Sequence, residues 1–209
     1  MYICQLKNRI FNIKIKNKMA TLVGKKFPNL KVDAMNEMGD TFKLNVLEEA
    51  VKNKKKVLLF WYPKDFTFVC PTELHAFQAA LGEFEKRNTL VIGASCDTPE
   101  VHFAWLSTSK DNGGIEGVTY PILADSNRNL SSILGILDIT NETFDETSQT
   151  IQVEGDNVTY RATYLIDEEG TVFHEGVQKN GEVCPANWEE GKEAMQANAK
   201  GTKEYLAVH

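Results

Sequence analysis

The 209-residue chain predicts an α/β domain with a hairpin added in front and a polar arm behind. Two near-continuous apolar runs, Val57 to Tyr62 and Thr89 to Ser95, read as strands buried on both faces of a sheet. Segments with helical spacing alternate with them, and that alternation places helices over the sheet. After these come a two-strand pattern and then a stretch with a helix start but little apolar content.

Composition bounds the function class. The chain has 42% hydrophobic and 25% charged residues, enough to fill one domain with a tail. No apolar run approaches the eighteen or so residues of a membrane span, so no membrane role is expected. Five of the 23 basic residues, Lys7, Arg9, Lys14, Lys16 and Lys18, fall in the first eighteen positions, which hold no acid. The remainder therefore sets 18 basic against 29 acidic groups, a net charge of -11, which argues against nucleic acid as a partner. Residues 1–18 show no cleavage-site pattern and are expected to be a disordered extension. The four cysteines, 4, 70, 96 and 184, form no close pair, which disfavours a zinc ribbon or a Cys-x-x-Cys dithiol. Their wide spacing without a secretion signal points to a reducing compartment, and a cytoplasmic location is expected.

In chain order, Leu30 to Leu44 reads as a hairpin with Gly39 in its turn. Asn45 and Glu48 have capping-box spacing for a helix with Leu47, Ala50 and Val51 on one face, and Lys52 to Lys56 forms a solvated turn. The strand Val57 to Tyr62 ends at Pro63, and a helix begins at Pro71 with the stripe Leu74, Phe77, Leu81 and Phe84. Cys70 then sits where a strand hands over to a helix. Free amides and the positive dipole end favour a thiolate there, so Cys70 is expected to be a nucleophile at neutral pH. The competing reading is a small buried core residue.

Beyond the second strand, Thr98 and Pro99 open a helix as N-cap and first-turn proline. Cys96 reads as a small residue packed beneath a loop. Residues 111–117 form a loop, Tyr120 to Asp125 a short strand and Asn129 to Leu137 a helix. The polar segment 138–157 reads as an exposed loop or hairpin. Val158 to Ile166 and Thr171 to Val177 pair around the turn at Asp167 to Gly170. Asn187 and Glu190 have capping-box spacing, which places Cys184 in the loop ahead of a last helix. His75, Cys70, Cys96 and His102 match no common metal-ligand spacing, and neither a metal nor a cofactor is expected.

The arrangement Pro63-x-x-x-Thr67-x-x-Cys70 resembles the active-site motif of the peroxiredoxins. Residues Asp65 to Glu73, Asp-Phe-Thr-Phe-Val-Cys-Pro-Thr-Glu, resemble the typical two-cysteine, alkyl hydroperoxide reductase C-like branch. The segment Arg161 to Asp167 is similar to the one that supplies that family's active-site arginine, and Gly181 to Trp188 to its resolving-cysteine motif. The likeness runs from about Met19 to His209 and implies a thioredoxin-like fold over 19–177, with residues 178–209 as the arm. It implies that Cys70 is the peroxidatic nucleophile, that Arg161 favours its thiolate and that Thr67 holds a peroxide oxygen. Pro63 would shield the sulfur, and Glu73 would orient Arg161. Cys184, from a second subunit, would close a disulfide on Cys70, to be reduced by thioredoxin or a flavoprotein disulfide reductase, in a homodimer that can assemble to a decamer. Between Val177 and Gly181 stand only Gln178-Lys179-Asn180, where the family carries a second arginine and a whole helix. The rival readings are a peroxidase using Cys70 alone and a ring-forming holdase or scaffold without turnover. Tyr205-Leu206 is similar to an aromatic tail motif of overoxidation-sensitive members.

Overall fold

The computed structural model describes residues 21–138, 141–145, 147–154 and 156–178. Cys4, Cys184, the Asn187 helix start and Tyr205-Leu206 lie outside them. Among the described residues no helix is long and apolar enough to cross a membrane.

The elements run β1 (Val32–Met35), β2 (Thr41–Leu44), α1 (Val46–Asn53), β3 (Lys56–Trp61), α2 (Cys70–Ala79), α3 (Leu81–Glu85) and β4 (Thr89–Ser95). Then follow α4 (Pro99–Leu106), β5 (Ile122–Ala124), α5 (Asn129–Leu134), β6 (Asn141–Asp145), β7 (Thr150–Glu154), β8 (Arg161–Ile166) and β9 (Val172–Gln178). Seven strands form one sheet in the order β2-β1-β5-β4-β3-β8-β9. The central β5, β4 and β3 are parallel, and β8 returns antiparallel to β3. This is the expected thioredoxin-like α/β arrangement with its added hairpin, β1–β2. The polar segment forms a separate two-stranded hairpin, β6–β7.

β3 is apolar on both faces because both are covered. Val57, Leu59 and Trp61 pack with Ile92, Tyr164 and Ile166 on one side, beneath Ala50 of α1 and Leu130 of α5. Leu58, Phe60 and Tyr62 pack on the other with Cys70, Leu74, Phe77 and Trp105. Phe60 stacks on Phe77 with ring centroids 4.1 Å apart. The reactive-thiol candidate thus belongs to a packed aromatic layer.

Several local expectations shift. Asn45 does cap α1, its side chain accepting from the Leu47 and Glu48 amides. The buried face of α1 is Val46 and Ala50, while Val51 is 48% exposed. Leu47 and Val51 lie instead over Gly170, where an added Cβ would come within 2.1 Å of Leu47 and where φ is +81°. That turn needs glycine on both counts. The helix after Cys70 is two pieces, because the Ala80 amide shares itself between Ala76 and Phe77 carbonyls and tightens the turn ahead of Gly82. Thr98 occupies the N-cap of α4 without its side chain bonding the helix amides; its hydroxyl bonds Glu100 instead. The helix expected to reach Leu137 stops at Leu134, ended by Gly135 in the left-handed region.

Replacing Phe60 by alanine should leave a void between β3 and α2 and cost about 3–5 kcal/mol. Urea unfolding checks this as a lowered midpoint with an unchanged slope.

Candidate active site

Residues 62–70 cross from the end of β3 to the start of α2. The Tyr62 amide still bonds the Ala94 carbonyl at 3.0 Å, so the strand's register persists one residue past its end. Phe66 takes a φ of +53°, a conformation side chains rarely adopt, and the chain bends back on itself there. The helix starts at Cys70, one residue earlier than expected, with Pro71 in its first turn, where a missing amide proton costs nothing.

A buried polar cluster clamps this loop. Tyr62 donates its hydroxyl to Asp65 Oδ1 at 2.8 Å, and Asp65 Oδ2 lies 2.7 Å from His102 Nδ1. His102 Nε2 faces the Leu123 carbonyl at 3.2 Å. A carbonyl only accepts, so Nε2 is the donor in that contact. The Asp65 amide donates to Asp97 Oδ2 at 2.8 Å, and Asp97 is tied to Ser95. Burial raises the Asp65 carboxyl, with the His102 contact pulling the other way. Sequence reading missed the role of both residues. They lie 37 positions apart, and only the path of α4 brings His102 under the loop.

Cys70 is fully buried. Arg161 Nη2 donates to its sulfur at 3.3 Å, and Arg161 Nε donates to Glu73 Oε2 at 3.4 Å. Two features of the fold produce this triangle. Cys70 and Glu73 are three residues apart on α2 and therefore share a face. Ala162 is registered opposite Trp61, which puts Arg161 beside the chain as it leaves β3. Thr67 is half-buried; its hydroxyl donates to the Lys64 carbonyl at 3.2 Å and also favours the Cys70 thiolate by hydrogen bonding. Pro63 is half-buried at the head of the loop. Five of the six expected site residues thus lie within or against one loop, and Cys184 lies outside the described residues.

The surroundings of the thiol act on it in opposing directions. Burial pushes Cys70 up to about 11, opposed by the Arg161 charge, reinforced by Glu73 and eased by Thr67 and the Lys64 backbone. Arg161 is the largest influence in the thiolate's favour.

The other candidates are occupied elsewhere. His75 is bonded to the Gly114 carbonyl at 3.1 Å. Cys96 is a small buried residue as expected, but it packs against Ser131 of helix α5 at 3.7 Å rather than beneath a loop, and it is not in the cluster that holds Cys70. Among the described residues no three His, Cys, Asp or Glu side chains converge as a metal set would require.

Residues 23–175 match the AhpC/TSA family, and residues 177–207 match the C-terminal domain of 1-Cys peroxiredoxin. The chain is 34% identical over 209 residues to the chloroplastic 2-Cys peroxiredoxin BAS1 of Hordeum vulgare, covering 90% of this chain and 91% of that protein. It is 34% identical over 212 residues to alkyl hydroperoxide reductase C of Helicobacter pylori, covering 88% and 96%. The reduced 2-Cys peroxiredoxin of Plasmodium vivax superposes with a TM-score of 0.65 at 32% identity, covering 88% of this chain and 99% of that one.

Asp65→Ala should strand His102 and the Tyr62 hydroxyl and cost about 3–5 kcal/mol, read from urea unfolding. Thiolate absorbance against pH should place Cys70 near 11, and higher still in Arg161→Met, where the main stabilising charge is gone. The folded state holds this proton more tightly than the unfolded state, whose ordinary value is 9.0. Its contribution to stability is therefore complete below about pH 9 and falls away as pH rises toward 11.

Proposed function

The chain belongs to the AhpC/TSA family of peroxiredoxins, which are thiol-dependent peroxidases, and from that premise we propose that Cys70 is the thiol that meets the peroxide. The observation that carries this reading is the Arg161 guanidinium 3.3 Å from the sulfur, with Glu73 behind it. A hydrophobic layer alone would have no use for a charged donor aimed at a buried cysteine.

Hydroperoxides are the substrates of this family. In the proposed step the Cys70 thiolate attacks the hydroxyl-bearing oxygen of hydrogen peroxide or a small organic hydroperoxide. The S–O bond forms, the O–O bond breaks, and the departing hydroxide or alkoxide takes a proton to leave as water or an alcohol. Cys70 becomes a sulfenic acid, oxidised by two electrons. Arg161 stabilises the thiolate and the negative charge that moves onto the leaving oxygen. Glu73 holds the guanidinium in place, Thr67 offers its hydroxyl to a peroxide oxygen, and Pro63 keeps water from the sulfur.

The sulfenic acid is then resolved by the Cys184 thiol of a second subunit, forming a disulfide and releasing water. An external dithiol, from thioredoxin or a flavoprotein disulfide reductase, restores both thiols and is itself oxidised. The two-cysteine names of the relatives support this cycle. A sulfur buried in the first turn of a helix cannot bond a thiol on another segment in place. Residues 70–74 therefore unwind before the disulfide forms. The cycle runs in a cytoplasmic homodimer that can assemble further.

Mass spectrometry after one equivalent of peroxide, with free thiols alkylated, tests the cycle on the wild type and Cys184→Ser. The expected result is a Cys70–Cys184 linkage in the former and an oxidised Cys70 monomer in the latter. Turnover with a thiol donor that is unaffected by Cys184→Ser would instead assign a cycle using Cys70 alone, and an unreactive Cys70 in both proteins would sink the peroxidase site.

A further inference from the structure

Gln178, the last residue of β9, is registered directly opposite Arg161, the first residue of β8. Partners across an antiparallel pair project from the same face, with Cβ atoms about 4.5–5.5 Å apart. Val177, one step back, is opposite Ala162 and packs in the cluster on the far side of the sheet. Alternation therefore puts Gln178 on the face of Arg161 and Cys70.

Its side-chain oxygen Oε1 is buried and, among the described residues, has no hydrogen-bond partner. A buried acceptor without a donor is costly, and natural structures rarely keep one without a use. The other two such atoms, Trp61 Nε1 and the Tyr164 hydroxyl, belong to residues of the opposite cluster. Gln178 alone of the three stands opposite Arg161, the residue that donates to the Cys70 sulfur.

The surrounding groups define what is missing. Arg161 supplies donors, and two of its nitrogens already serve the Cys70 sulfur and Glu73. Glu73, the nearby carboxylate, accepts from Arg161. A hydroperoxide entering this site needs donors for its oxygen lone pairs, which Arg161 and Thr67 can offer. It also needs an acceptor for the hydrogen on the oxygen under attack.

We propose that Gln178 Oε1 is that acceptor, a substrate-binding contact that takes the hydrogen bond from the O–H of the attacked peroxide oxygen. The inference rests on the reading of Cys70 as the peroxide-reacting thiol. The hydrogen concerned never transfers. It stays on the attacked oxygen while the S–O bond forms and the O–O bond breaks, and it ends as the hydroxyl of the sulfenic acid. Gln178 thus holds substrate and oxidised product by one hydrogen, and selects hydroperoxides over dialkyl peroxides, which lack it.

The test compares wild type with Gln178→Met, close in shape but a poor acceptor, and with Gln178→Leu as a second variant. Rapid quenching and mass spectrometry of the Cys70 peptide give second-order rates with hydrogen peroxide and with tert-butyl hydroperoxide. Iodoacetamide, which donates no O–H, reports the intrinsic reactivity of the same thiol. Both peroxide rates should fall roughly ten-fold, the weight of one hydrogen bond, while alkylation is unchanged. Wild-type peroxide rates in both variants would overturn the proposal. So would an alkylation rate that falls in step, since Gln178 would then act through the fold or Arg161. A loss confined to hydrogen peroxide would also overturn it, because both substrates carry the hydrogen on the attacked oxygen. A wild-type Cys70 that peroxide leaves unoxidised would overturn the site reading itself, an outcome distinct from all of these.

Discussion

A guanidinium held against a fully buried sulfur is the constraint around which this molecule is arranged. Burial alone drives the Cys70 thiol toward its neutral form, and in a poorly solvated layer only a nearby positive charge can offset that. The charge must itself be compensated, since a largely buried cation left without a partner is strongly destabilising. Glu73, buried one turn along the same helix, supplies the compensation and also raises the thiol it stands beside. The site is thus a balance of three groups in which Arg161 favours the ionisation of the sulfur, while Glu73 opposes it directly and holds Arg161 in place.

The fold delivers those groups from three separate places. β3 carries the chain to the loop, α2 presents Cys70 and Glu73 on one turn, and antiparallel pairing of β8 with β3 brings Arg161 across. The loop would be free to sag without its own anchor, because Phe66 holds an unfavourable backbone conformation and Phe68 is 86% exposed. Asp65 provides that anchor. Its carboxylate bonds Tyr62 and His102 while its amide bonds Asp97, so three residues grip one position five before the sulfur. The rigid side of the site is this clamp.

Much of this was legible in particular residues. The apolar runs of β3 and β4 declared a covered sheet, because a strand without polar alternation must be buried on both faces. Cys70 was legible because a proline in the first turn marks a helix start in the chain itself. Asn45 capped its helix as its spacing indicated. Val51 misled, because periodicity names a face but not what covers it, and Gly170 accepts only part of that face. The helix break at Ala80 was equally hidden, since the apolar spacing continues through it.

By itself, the sequence determined the strands, the helix starts and the placement of one cysteine at a strand-to-helix junction, because hydrophobic period and capping are written in neighbouring residues. Its motif also pointed to the partners Thr67, Glu73 and Arg161. Only the tertiary structure decided the burial of Cys70 and the approach of Arg161 to it, since both depend on everything packed around the sulfur. The same holds for the Asp65–His102 pair and for Gln178 opposite Arg161. Such contacts depend on strand register and helix path, and no local spacing records which distant residues those will bring together.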